Sequence, residues 1–184
     1  MWLLCYDRRT GRKRWQTEVH RKGFVRINPK NSHASATPAC DGRLVFQPSV
    51  IQDAIWLSAL HLDGQIVWQR RLGDFHSMHG FAASAVVYKS LVIVASDSLR
   101  NSFLAAVHRR TGGVVWRTDR PSYKLGTYAS PLVGHVAGRD QLLLHGPIKV
   151  FSYDPATGKL LWTCDGPSES ASSTMSFSGD WVYS

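Results

Sequence analysis

Two motifs that alternate four times along a 184-residue chain predict an all-β fold, a β-propeller of four-stranded antiparallel blades. The first motif sets a glycine four residues ahead of a tryptophan: Gly11 and Trp15, Gly64 and Trp68, Gly112 and Trp116, Gly158 and Trp162. Successive tryptophans lie 53, 48 and 46 residues apart, a blade-sized period. The second motif is a patch of small residues that runs into an apolar stretch, at 35–46, 83–94, 129–144 and 172–183. A third observation is negative. No window sustains a 3.6-residue apolar period with caps, so the repeat has no helical half.

The elements follow in order. Apolar runs of four to eight residues, bounded by Asp-Gly, Thr-Gly, Ser-Gly and Gly-Pro, read as strands. Residues 2–19 supply only the outer two strands of a blade, in phase with the first motif. Residues 34–73, 81–120 and 127–165 each hold both motifs and read as complete blades. Residues 171–184 hold the inner strands of another. The chain is thus read as one partial propeller domain over 1–184, with about four blades, the first and last of them partial. At roughly 45 residues per blade it would be an arc of a larger ring. The alternative is a closed four-bladed ring in which 171–184 pairs with 2–19.

Within each blade the Asp-x-x-Thr-Gly segments suit a hairpin loop made of a type I turn and a left-handed residue that closes on a bulge. Gly11, Gly112 and Gly158 would take the left-handed place because they lack a Cβ. Asp7 and Asp154 would accept hydrogen bonds from the turn's N–H groups. His108 stands at the equivalent position, and so does His61 if that loop is one residue shorter. Tryptophan in the next strand is a large apolar plate, best placed at the seam between blades.

The chain is basic, with 22 Lys and Arg against 13 Asp and Glu and a formal charge of +9. The excess is local: residues 1–30 hold nine basic and two acidic side chains, so the remainder is nearly balanced. Because the run Arg8-Arg9-Thr10-Gly11-Arg12-Lys13-Arg14 falls on a hairpin turn, it reads as a solvated turn. Electrostatic binding to nucleic acid or anionic lipid is the lesser reading, and no nucleic-acid motif accompanies it. No stretch reaches the ~18 apolar residues of a membrane-spanning helix. The opening apolar run is too short for a signal peptide, and its charge follows it. Cys5, Cys40 and Cys164 are odd in number and far apart, against a disulfide scaffold or a Cys-x-x-Cys site. Cys5 and Cys40 are expected in strands as small buried hydrophobes, and Cys164 near an exposed strand end.

The chain has no Trp-Asp dipeptide and one Gly-Gly pair, so WD40 and kelch repeats fit less well. The segment from Tyr153 to Trp162, with Asp154, Thr157, Gly158 and Trp162 in place, resembles the pyrroloquinoline-quinone-type repeat, Ala-x-Asp-x-x-Thr-Gly-x-x-x-Trp. The other three copies match it in part, and together they cover essentially the whole chain. The resemblance implies the propeller shared by quinoprotein alcohol dehydrogenases and BamB-type outer-membrane assembly proteins, with seven or eight blades. It also implies a bacterial, exported, periplasmic protein.

For function, the loops that pass from the outer strand of one blade to the inner strand of the next are the place to look. These are residues 20–33, 74–80, 121–126 and 166–170. His33, His76, His79 and Tyr128 fall in or beside them, and His33, His79 and Tyr128 are expected to converge on the mouth of the central channel with Arg26 nearby. Imidazoles there would bind an anion, move a proton or hold a metal. No third ligand accompanies the His76 and His79 pair, so no metal site is read. Quinone-dependent dehydrogenases of the family hold their cofactor over calcium, and many set a disulfide of adjacent cysteines against it. This chain has no adjacent cysteines and two glutamates, Glu18 and Glu169. Asp74 and Asp97 show no calcium-type spacing. The expectation is therefore a non-catalytic, cofactor-free platform that binds another protein or a small anionic ligand through one rim. A fragment of a pyrroloquinoline-quinone-dependent dehydrogenase is the alternative.

Overall fold

The computed structural model describes residues 1–29, 31–166, 169 and 171–184. Among them the regular structure is entirely β: five antiparallel sheets in chain order, of two, four, four, four and two strands. The first pairs β1 (Trp2–Tyr6) with β2 (Lys13–Glu18). The second is β3 (Ala39–Cys40), β4 (Leu44–Ile51), β5 (Ala54–His61) and β6 (Ile66–Asp74). The third is β7 (Val86–Tyr88), β8 (Leu91–Ser96), β9 (Ser102–His108) and β10 (Val114–Arg120). The fourth is β11 (Leu132–Val136), β12 (Arg139–His145), β13 (Lys149–Tyr153) and β14 (Leu160–Asp165). The last pairs β15 (Ser176–Ser178) with β16 (Trp181–Tyr183). The two-stranded sheets are separate, so the chain is not closed by pairing of 171–184 with 2–19.

The sheets pack face to face, and the strand pleat explains why their central strands are nearly all apolar. In β8, Val92 and Val94 enter a core shared with Phe46, Ile55, Leu57 and Ala59 of the preceding sheet. Their neighbours Leu91, Ile93 and Ala95 face the other way, onto Leu142, Leu144 and Phe151 of the following sheet. In β9, Phe103, Ala105 and Val107 alternate with Leu104 and Ala106 across the same two cores. A strand buried on both faces has no polar side to show. A third, smaller core sets Val136, Leu143 and Val150 against Met175 and Val182.

The first three seams are locked by the tryptophan motif. Trp15 donates its indole N–H to the Leu62 carbonyl at 2.7 Å, Trp68 to Arg109 at 3.0 Å and Trp116 to Pro155 at 3.3 Å. Each partner lies in the outer hairpin turn of the next sheet. A Cβ on the glycine of that turn would come within 2.8 Å of Trp15 at Gly64, 2.7 Å of Trp68 at Gly112 and 2.5 Å of Trp116 at Gly158. The glycines therefore answer two demands, a left-handed φ and the flat face of the neighbouring indole. A second bond sits two residues past each of these tryptophans. Thr17 and Thr118 hydroxyls donate to the Gly64 and Gly158 carbonyls at 2.7 and 2.8 Å, and Arg70 Nε to Gly112 at 2.9 Å. Trp162 turns instead to Gln141 Oε1 of its own sheet, at 2.8 Å.

The turns are the bulged type. Asp7 Oδ1 accepts from the N–H groups of Arg9 and Thr10, both at 3.0 Å, and Asp154 Oδ1 from those of Ala156 and Thr157 at 2.8 and 3.1 Å. Gly11, Gly112 and Gly158 each donate N–H four residues back at 2.8 Å, and the strand register slips just beyond. His108 substitutes for the aspartate with a ring nitrogen 3.4 Å from the Thr111 hydroxyl.

One local expectation, a buried Cys40, needs correction. The inner strands are short, and their first residues run extended without a ladder, because they bond sideways to the next sheet's side chains. Thr37 N–H donates to Ser84 Oγ and Ser84 N–H to Ser130 Oγ, each at 2.9 Å. Cys40 lies in β3 but is exposed, because β3 opposes β4 only at Val45 and Phe46; all three cysteines are free.

Candidate functional site

The serine ladder links the segments that lead into β3, β7 and β11, and just before it lie the loops that enter the next sheet. Among three of these loops and the residues just after them the structure opens a cavity of about 490 Å³ lined by Asn28, Asn31, His79, Ala82 and Tyr128. His79 and Tyr128 meet edge to face, with ring centres 6.1 Å apart and planes at 71°. Asn28 Nδ2 lies 3.3 Å from His79 Nδ1. Asn31 donates its side-chain amide to the His79 carbonyl, and the Ser77 hydroxyl accepts from the His79 N–H at 3.2 Å. Tyr128 is fixed through its backbone, whose N–H donates to the Ala171 carbonyl at 2.9 Å. The lining offers amides, an imidazole and a phenol, and no carboxylate, which suits hydrogen bonding to a largely uncharged group.

His33, His76 and Arg26 are placed elsewhere. The His33 ring packs against Phe24, centres 5.3 Å apart, and borders smaller pockets beside Phe81 and Trp2. Alignment on the Thr37, Ser84 and Ser130 ladder sets His33 opposite Gly80, and Tyr128 opposite Ala82. His33 is not among the residues that line the cavity of His79 and Tyr128. His76 is half-buried with Nδ1 enclosed and without a partner among the described residues. Its backbone is what engages: its N–H donates to Ser98 Oγ at 3.0 Å, and its carbonyl accepts from the Leu99 N–H at 2.9 Å. Arg26 is exposed. Residues 167, 168 and 170 of the last connection lie outside the described residues. Among the described residues no three His, Cys, Asp or Glu side chains gather as a metal site.

A charged cluster that the sequence did not single out stands behind Tyr128. Asp97 is buried and takes Arg120 Nη1 on one carboxylate oxygen and the Thr127 hydroxyl on the other. Arg120 Nε donates to the Tyr153 hydroxyl at 3.1 Å, and its guanidinium lies 4.8 Å from the Phe151 ring centre. Burial pushes the Asp97 carboxyl above its usual range, and Arg120 and then Thr127 pull it back. Burial likewise raises the Tyr153 hydroxyl. The cluster ties the 121–128 loop to the end of β8 and so sets the height of Tyr128. These partners are 23 and 30 residues apart, so no local motif could have marked them.

Comparison with known proteins agrees with this geometry. The family model described as outer membrane protein assembly factor BamB matches residues 2–183. No curated protein matches the chain in sequence. Among solved structures, a europium-containing methanol dehydrogenase superposes with a TM-score of 0.61 at 14% identity, over 89% of this chain and 38% of that one. BamB from Moraxella catarrhalis superposes with a TM-score of 0.57 at 20% identity, over 89% of this chain and 46% of that one. The chain thus spans less than half the length of either structure. At these identities the likeness is one of fold. The alternating motifs, the stacked four-stranded sheets and the match along nearly the whole sequence agree: the chain belongs to the family of β-propellers with pyroloquinoline-quinone-type repeats described as outer membrane protein assembly factor BamB.

Proposed function

We propose that the chain is a non-catalytic platform that binds a partner protein across the face carrying His79 and Tyr128. We further propose that 1–184 is one partial propeller domain with blades at 2–19, 34–73, 81–120, 127–165 and 171–184. The observation that supports the platform is the way the mouth is held. Its aromatic pair sits on loops fixed by backbone bonds, by the serine ladder and by the buried Asp97 and Arg120 pair. Such a site changes shape little on binding and spends little conformational entropy. A half-buried tyrosine beside an exposed histidine and two asparagines is the kind of anchor that carries interface affinity. The BamB relationship gives a protein partner precedence over a small metabolite.

The test compares capture with cofactor uptake. The chain, immobilised, should retain a discrete protein from a bacterial envelope extract, and Tyr128→Ala with His79→Ala should lose it while melting as the parent does. Calcium-dependent uptake of pyrroloquinoline quinone, read by calorimetry, would overturn the platform in favour of a dehydrogenase fragment.

A further inference from the structure

A second recess lies on the same face, farther from the mouth. It is a cleft of about 620 Å³ between β6 and β10, lined by Arg71, Arg100, Arg117 and Arg120 together with Asp74 and Asp119. Asp74 opens the loop that ends at His79, so the cleft and the mouth are joined by one short connection.

The cleft is built to hold guanidinium groups. Arg117 Nη1 donates to the Leu72 carbonyl at 2.5 Å, and its guanidinium carbon lies 3.8 Å from the Phe103 ring centre. Gly73 makes room for it: a Cβ there would come 2.8 Å from Arg117 Nη1 and 2.9 Å from Phe103 Cε1. Arg120 forms the floor, its side chain 2% exposed, with its charge met by Asp97. Arg71 is matched by Asp74, and Asp119, 87% exposed, reaches Arg117 Nε only at 3.4 Å. No carboxylate among the described residues pairs with Arg100, whose side chain stands exposed at the cleft wall. The balance is one guanidinium in excess and a second, Arg117, held in place with a weakly engaged partner.

We infer that this cleft takes an acidic side chain from a segment of the partner protein, its carboxylate lying between Arg100 and Arg117. The inference rests on the platform reading and names the chemistry of the partner. A planar guanidinium fork matches a carboxylate in two parallel hydrogen bonds. The excess is a single charge, and Asp74 and Asp119 stand at the rim. They repel a phosphate dianion or a nucleic-acid backbone, but a lone carboxylate fits between them. The volume is that of a few side chains rather than of a bare inorganic anion.

The probe is a fluorescein-labelled peptide of alternating Glu and Gly, titrated against the 184-residue chain at low salt and followed by anisotropy. Binding is expected, weakening as salt rises. Arg100→Gln should weaken it about tenfold, and Arg100→Lys less, because charge is kept and the fork is lost. Arg100 is exposed, so both variants should melt as the parent does. His79→Ala should leave peptide binding intact, which separates failure of the cleft from failure of the mouth. The inference is overturned if the peptide does not bind, if Arg100→Gln binds it as well as the parent, or if inorganic phosphate or a single-stranded oligonucleotide displaces it at lower concentration than unlabelled peptide.

Discussion

Gly11 and Gly158 occupy the same place in the same bulged turn, with φ of 68° and 73°. They differ in what lies beside them. A Cβ on Gly11 would meet nothing within 4 Å, whereas one on Gly158 would lie 2.5 Å from Trp116 Cε3 and 2.6 Å from Thr118 Oγ1. Alanine at either site incurs the left-handed penalty of about 1–2 kcal/mol. At Gly158 it also drives into the indole, and overpacking of this kind costs about 1–3 kcal/mol. Thr118, whose hydroxyl is bonded to the Gly158 carbonyl, cannot retreat without losing that bond. The effect of alanine on the unfolded chain is the same at both positions and cancels. Gly158→Ala should therefore cost about 1–3 kcal/mol more than Gly11→Ala. With a urea slope of roughly 2 kcal/mol per molar, the midpoints should differ by about 0.5–1.5 M. Urea unfolding followed by tryptophan fluorescence measures the difference. Equal midpoints would mean that the glycine serves only the turn, and the seam argument would fail.

Arg120→Met leaves Asp97 buried without its cation and should cost about 3–5 kcal/mol, with much of that loss recovered in Asp97→Asn with Arg120→Met, as paired denaturation curves would show. His145 is buried with both ring nitrogens lacking partners among the described residues, and burial lowers its affinity for a proton. The unfolded chain then binds more protons than the folded one below the ordinary histidine value of about 6.5. Stability should hold above that value and fall as pH drops through it toward the folded pKa. His145→Leu should flatten this slope below about pH 6.5 in melts run across pH. Trp2, Tyr6, Trp181 and Tyr183 are each more than half exposed on the two-stranded sheets. The isolated 184-residue chain should therefore self-associate with rising concentration, and light scattering should show Trp2→Ser with Trp181→Ser reducing it.

The repeat was legible because its two strictest demands fall on residue types that few other roles require. A tryptophan plate at the seam needs a glycine in the facing turn, and the type I turn with its bulge needs a glycine at the same place. One residue satisfies both, so the four-residue spacing from Gly64 to Trp68 or from Gly158 to Trp162 survives while the intervening residues change. The bonds two residues beyond the tryptophans left a fainter mark. Thr17 and Thr118 share it, but Arg70 does the same work with a different group, so residue identity alone does not reveal it. The serine ladder was visible only as composition, since a small residue near a strand start has several uses. That ladder aligns the starts of the inner strands, but the loops ahead of it differ in length and course. Counted from the ladder, His79 and Tyr128 stand five and two residues before it, so position in the repeat does not tell which loop side chains line the cavity, and His33 packs on Phe24 instead. The asparagines carried no signal, because they lie on the same long loop as His33 and nothing local distinguishes a loop amide that faces a cavity from one that faces water. The arginine cleft was hidden for a further reason. Its residues come from β6, from the β8–β9 loop and from β10, so no short stretch of sequence holds them together. Only when the sheets stack does Arg100 stand apart from the carboxylates that neutralise its neighbours. Electrostatic sites at blade seams are products of packing, and the part of function that depends on them is readable only once the seam has been built.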